Sequence, residues 1–132
     1  MTSRKTDIAL LLLRLCFGGL MFINHGIPKV ARLSAEGGIK FADPLGMGPE
    51  ISLWLALFAE LGCAALVVLG LFTRLATVPL IITMAVAAFI VHGDDPFKEM
   101  EGALLFLIPY IALLLMGPGY YSADEQYRLS KV

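Results

Sequence analysis

The chain has 132 residues, enough for one domain. Hydrophobic residues make up 58% and charged residues 16% of it, with a mean hydropathy of +0.81, whereas soluble domains carry about 25% charged residues. This excludes a soluble enzyme, a disordered chain and a disulfide-rich secreted module, and the net charge of −1 offers no bulk attraction to nucleic acid.

The charges are unevenly spread. The stretches 8–28, 52–72, 75–91 and 102–118 together hold two of the 21 charged side chains, Arg14 and Glu60. A membrane span needs about 20 apolar residues. The first two stretches meet that length, and the last two reach it if Arg74, His92, Lys98 and Glu101 snorkel at their ends. Backbone groups in lipid must be satisfied within the segment, so each stretch is expected to be a helix. The expected architecture is an all-α membrane protein, a single four-transmembrane-helix antiparallel bundle over residues 1–132, with spans at about 8–28, 52–72, 74–92 and 101–118.

In chain order, residues 1–7 read as a short polar tail. Arg14 interrupts the first apolar run and no A-x-A site follows, which points to an uncleaved first span rather than a signal peptide. Ala31 to Glu50 is the longest connection, broken by Gly37, Gly38, Pro44, Gly46, Gly48 and Pro49. Its Ile39, Phe41, Leu45 and Met47 suit a segment lying on the membrane surface or folded back over the bundle. The turn Leu71 to Arg74 is too short for anything but antiparallel neighbours. Pro79 marks a kink in span three or its first turns. Span four contains Pro109 and stops at Gly117-Pro118-Gly119. Ser122 to Glu125 reads as a capping box opening a last short helix. Trp54 and the tyrosines at 120, 121 and 127 occupy positions suited to interfacial belts. Basic residues number five on the side of the termini and four on the other, which favours cytoplasmic termini.

Polar side chains inside spans are costly, so they are expected to face the bundle interior. At about 100° per residue, Arg14, Gly18, Met21, His25 and Lys29 share one face of span one, and Arg74 and His92 share one face of span three. By depth, Arg14 is expected to pair with Glu60 near mid-membrane, below a cluster of His25, Lys29, His92 and Glu101. Such a pair serves equally well to fix helix register or to wall a site. Two histidines at similar depth also suit haem, but Gly18, Gly19 and Gly62 point to close helix packing. No H-x-x-x-H or C-x-x-C spacing supports a metal site. Cys16 and Cys63 are expected on different faces as packing residues.

At these residues the sequence resembles the DoxX family of small four-span bacterial membrane proteins. Span one reads Arg14-Leu-x-x-Gly18-x-x-x-Phe22-x-x-His25-Gly26-x-x-Lys29. Span two reads Glu60-Leu-Gly62, then Leu69-Gly70-Leu-x-Thr73-Arg74. Met84 and His92 match the third helix, Glu101-x-Ala-Leu-Leu105 the start of the fourth, and Gly117-Pro-Gly119-x-x-Ser122-x-Asp124 the close. The resemblance covers about residues 8–124. It implies subunits of terminal quinol oxidase or thiosulfate:quinone oxidoreductase complexes and roles in quinone or catechol stress. Eukaryotic relatives act in receptor assembly or cargo export.

For a quinone-type ligand, His25, Lys29 and His92 supply donors and Glu60 a proton relay. The catalytic candidates are therefore His25, Glu60 and His92, and the substrate-binding candidates Arg14, Lys29, Arg74 and Glu101, with no metal. No side chain here carries electrons unaided, so an oxidoreductase would need a bound flavin, haem or redox partner subunit. The reading is an accessory or quinone-binding subunit in the bacterial inner membrane, with the lipid bilayer as its surroundings and a redox partner or a second copy as its partner. A non-enzymatic membrane chaperone or small-molecule carrier using the same pocket is the alternative.

Overall fold

The computed structural model describes residues 3–132. Among them there is no strand, and four helices are long and apolar enough to cross a membrane. They are α1 (Arg4–Ser34), α2 (Pro49–Leu69), α3 (Thr73–Val91) and α4 (Phe97–Met116). A short polar helix, α5 (Ala123–Ser130), follows. Each span packs on its neighbours in sequence, and α4 closes back onto α1, completing an antiparallel ring. The dry centre includes Leu10, Met21, Val67, Leu80, Tyr110 and Leu113. Large apolar side chains such as Ile23, Phe58, Leu75 and Ile108 face outward, as lipid requires.

The helix boundaries differ from the expected ones at both ends of the chain's polar segments. Ser3 accepts from the Thr6 amide, so α1 begins at Arg4 and residues 4–7 of the expected polar tail are already helical. Helix α1 also runs past Pro28 to a closing 3₁₀ turn at Ala31–Ser34. Pro96 stands at the start of α4, which moves Lys98 and Glu99 from the connection onto its first turn. Pro79 lies in the second turn of α3 and Pro109 in the middle of α4. The close opens as expected: the Ser122 hydroxyl accepts from the Glu125 amide and starts α5.

Two glycines set the distance between α1 and α2. A Cβ on Gly18 would come within 2.9 Å of Val68, and one on Gly26 within 2.7 Å of the Glu60 carbonyl oxygen. Gly19 and Gly62, expected to share this role, have nothing within 4 Å and face away. Cys16 is exposed to lipid and Cys63 is buried; both are free thiols.

The end of the bundle that holds both termini is locked by polar groups. Buried Asp7 accepts from the Tyr120 amide at 3.1 Å. The Asp124 carboxylate caps α3, accepting from the amides of Phe72 (2.7 Å) and Thr73 (3.0 Å). Arg14, only 1% exposed, donates to Pro118 and Tyr121 carbonyls from Nη1 at 2.8 and 2.9 Å. Its Nε donates to the Val67 carbonyl at 3.2 Å. Gly70, at φ 71°, lies beneath this guanidinium: an added Cβ would be 2.5 Å from Ser122 Cβ and 2.9 Å from Arg14 Cζ. Replacing Gly70 by Ala therefore imposes both a left-handed backbone on a residue with a Cβ and a clash with two rigid neighbours. We expect G70A to lower stability by about 2–4 kcal/mol, read as a fall in Tm in detergent. Gly19→Ala, facing open space, should leave Tm within about 2 °C of wild type.

Candidate functional site

The opposite end of the bundle is built differently. There the four spans part around a cavity of about 490 Å³, within the range of small-molecule sites. Its walls are apolar, contributed by residues such as Ala56, Met84, Ala103 and Phe106, and its polar groups are few. His25 and Lys29 come from α1, Glu60 from α2, and His92 from the end of α3. The connection between α1 and α2 folds back over this end, lining it with Phe41, Pro44, Leu45 and Met47. Asp43 fastens that roof: Oδ1 accepts from the Ser52 hydroxyl at 2.9 Å and Oδ2 from the Gly48 amide at 3.0 Å.

Lys29 is the partner of Glu60. Its Nζ donates to Oε1 at 3.2 Å and lies 2.9 Å from Oε2, while a further bond goes to the His25 carbonyl at 3.3 Å. Glu60 is 3% exposed, and Oε2 accepts no well-directed hydrogen bond. The close approach at Gly26 explains the pairing. Gly26 is level with Glu60, so Lys29 stands one turn beyond it on α1 and reaches across. His25 is turned toward Phe106, with ring centroids 5.3 Å apart and planes at 80°. At the rim, His92 Nδ1 lies 2.8 Å from Asp95 Oδ2. If Nδ1 carries the proton, Nε2 is left as an acceptor.

The expected Arg14–Glu60 pair does not form. Arg14 precedes Gly26 by twelve residues, about 18 Å along the axis, beyond the reach of its side chain to Glu60. Its guanidinium turns instead to the Val67 and Val68 carbonyls at the end of α2, among the last four that a helix leaves without a regular partner. Arg74 also belongs to the locked end, with Nη2 donating to the Leu115 carbonyl at 3.4 Å. Glu101 is exposed on α4 and does not line the cavity, whereas Glu99 does. Thus four of the seven candidate site residues, His25, Lys29, Glu60 and His92, meet at one cavity. Arg14, Arg74 and Glu101 stand outside it.

Sequence reasoning missed three features. Asp43 and Ser52 form the roof latch, and a short polar side chain four residues after Gly48 was its only trace. Buried Asp7 was hidden because its neighbours are polar. The third is the helix type: Arg14–Gly18, Phe22–Gly26, Phe58–Cys63 and Ala87–Val91 are π-helical turns. Arg14, His25 and Glu60 lie within them and His92 directly follows the last.

Comparison with known proteins agrees with this architecture. The family model described as DoxX matches residues 9–93. The chain is 35% identical over 136 residues to the uncharacterized membrane protein Rv3486 of Mycobacterium tuberculosis, covering 86% of this chain and 77% of the relative. No solved structure matches.

The buried ion pair yields a test. Lys29→Met leaves a carboxylate without its cation, and we expect it to cost about 2–4 kcal/mol. The double variant K29M/E60Q should recover most of that loss. A thermodynamic cycle from detergent unfolding would read a coupling of about 2 kcal/mol, and additive single effects would show that the two charges do not support one another.

Proposed function

The chain belongs to the DoxX family, and from that premise we propose that it is a quinone-binding accessory subunit of a membrane oxidoreductase system. The observation that carries this reading is a buried Lys29–Glu60 pair on the wall of an otherwise apolar cavity, beside two histidines. A quinone headgroup is a flat apolar ring with two acceptors. It asks for an apolar slot with a small number of donors and a group able to take up or release a proton. The residues present fit that demand. Lys29 and His25 offer donors from one wall, His92 an imidazole from the rim, and Oε2 of Glu60 an acceptor with no directed bond of its own.

A bound quinone would supply the two-electron couple. The chain's own groups bind and orient the ring, exclude water from it, and hold a proton. Glu60 is suited to hold that proton at Oε2, because neutralising the carboxyl lets Lys29 turn its donors to a ligand acceptor without leaving a buried anion unpaired. His92, partly exposed and oriented by Asp95, links the cavity rim to water. Electron transfer beyond the quinone falls to a partner subunit. In this reading the protein sits in the bacterial inner membrane with both termini cytoplasmic, as the distribution of basic residues favours.

The test is binding by the purified protein. With decylubiquinone at about a hundred times Kd, we expect Tm to rise by roughly 5–10 °C. The His25→Ala and Glu60→Gln variants should show less than half of that rise while keeping a cooperative transition. Organic extracts of the untreated protein should contain quinone by mass spectrometry. No quinone in the extract and no shift in Tm, together with a co-purified client protein, would favour the assembly-factor reading instead.

A further inference from the structure

The cavity has two kinds of rim. One is polar and faces water, where His92 and exposed Glu99 stand. The other is apolar and lies between α2 and α3. Leu55 and Ile82 both line the cavity and yet are 49% and 56% exposed on the outer surface of the bundle. Val86, one helical turn from Ile82, lines the same gap. Leu55 is about 9 Å from the start of α2 and Ile82 about 14 Å from the end of α3, by axial rise. These depths fall within a hydrocarbon core about 30 Å thick. By depth, the side chains that bound this opening sit in the outer part of the acyl region, just inside the interfacial belt at Trp54.

Resting on the quinone-binding reading, we propose that the gap between α2 and α3 at Leu55, Ile82 and Val86 is a lateral portal through which a hydrocarbon-tailed ligand enters from the lipid, leaving its tail there while its ring rests against Lys29 and Glu60. Three observations converge on it. Ser52 and Thr83, near the gap, are already bonded to Asp43 and to the Pro79 carbonyl, while the Lys29–Glu60 pair lies on α1 and further along α2 than Leu55, so a ligand that enters by the gap and meets that pair must have its polar part innermost. The roof over the outer end is fastened to α2 through Asp43, and its lining side chains are apolar, which does not suit passage of a charged solute. The gap itself offers no hydrogen-bonding side chain among Leu55, Ile82 and Val86, so it takes up methylene or isoprenoid groups without desolvation cost. The ligand class is thereby narrowed to amphipathic molecules with one compact acceptor-bearing head and a flexible apolar tail.

The experiment compares two probes that share a head and differ in the tail: decylubiquinone and 2,3-dimethoxy-5-methyl-1,4-benzoquinone. Both are titrated against wild type and against Leu55→Trp and Ile82→Trp in nanodiscs, with affinity read from the ligand-dependent rise in Tm. We expect the portal variants to weaken decylubiquinone at least tenfold and to leave the tailless ring within twofold of wild type. Retained binding of the tailless ring also establishes that the variants fold. A decylubiquinone analogue with a diazirine near the end of its tail should crosslink wild type on the α2–α3 face. Equal loss of both probes, no loss of either, or crosslinks confined to the Phe41–Met47 roof would overturn the portal while leaving the quinone reading standing. Failure of wild type to bind either probe would overturn both.

Discussion

A guanidinium sealed among helices, with carbonyl oxygens as its partners, organises the locked end of this bundle. Arg14 donates to Val67 and Val68 at the end of α2 and to Pro118 and Tyr121 in the segment after α4. The Val67 carbonyl also accepts from the Gly70 amide at 3.1 Å, and Val68 is among the last four residues of α2, whose carbonyls a helix leaves without a regular partner. One side chain with five fixed donors answers four carbonyls at once, more than the three donors of a lysine could serve. The arrangement demands a residue without a Cβ at Gly70 and a chain reversal at Gly117 to Gly119, and both are present. The helices α1 and α2 and the segment after α4 are thereby held in one register by a group that itself has nowhere else to go.

With one end fixed in this way, the other is free to part. The charged groups divide accordingly. Arg14, Asp7, Arg74 and Asp124 are spent on backbone partners, satisfying helix ends and turns. Lys29 and Glu60 pair with each other on the wall of the cavity, and a buried pair of this kind adds little to stability. Burial does not separate the two groups, because Arg14 is more deeply buried than Glu60. What distinguishes them is whether the donors and acceptors are saturated.

The four spans, their order and the antiparallel ring were legible because hydropathy and the short turn at residues 71–74 leave no other arrangement in lipid. So was the gathering of His25, Lys29, Glu60 and His92 toward the end opposite the termini, which follows from depth along each helix. The partner of Glu60 was not legible. Depth counted from an expected span end at Pro28 placed Arg14 too near it, whereas α1 runs on to Ser34 and packs through Gly26. That register is a property of two surfaces meeting, which neither hydropathy nor helical spacing sets. The attraction of Arg14 to the end of α2 was equally hidden, because the acceptors are main-chain atoms and every residue has one.

The π-helical turns connect these points. A wheel of 100° per residue assumes a bond from each amide to the fourth carbonyl before it, and a turn bonded to the fifth winds more slowly and displaces every later side chain around the axis. Two such turns interrupt α1 at Arg14–Gly18 and Phe22–Gly26, so Arg14 and His25 need not share the face that their spacing suggests. The third turn holds Glu60 and the fourth delivers His92 to the rim. A π turn is rare because its bonding is poorer than that of an α-helix, and it survives where the surroundings favour the side-chain placement it produces. In α1 and α2 the turns contain Gly18, Gly26 and Glu60, the contact points of the two helices. Moving the phase there lets small residues meet at the crossing while the ionisable ones next to them turn toward the interior. The same local departure from regular helix thus serves close packing at one level and opens a polar wall at the next.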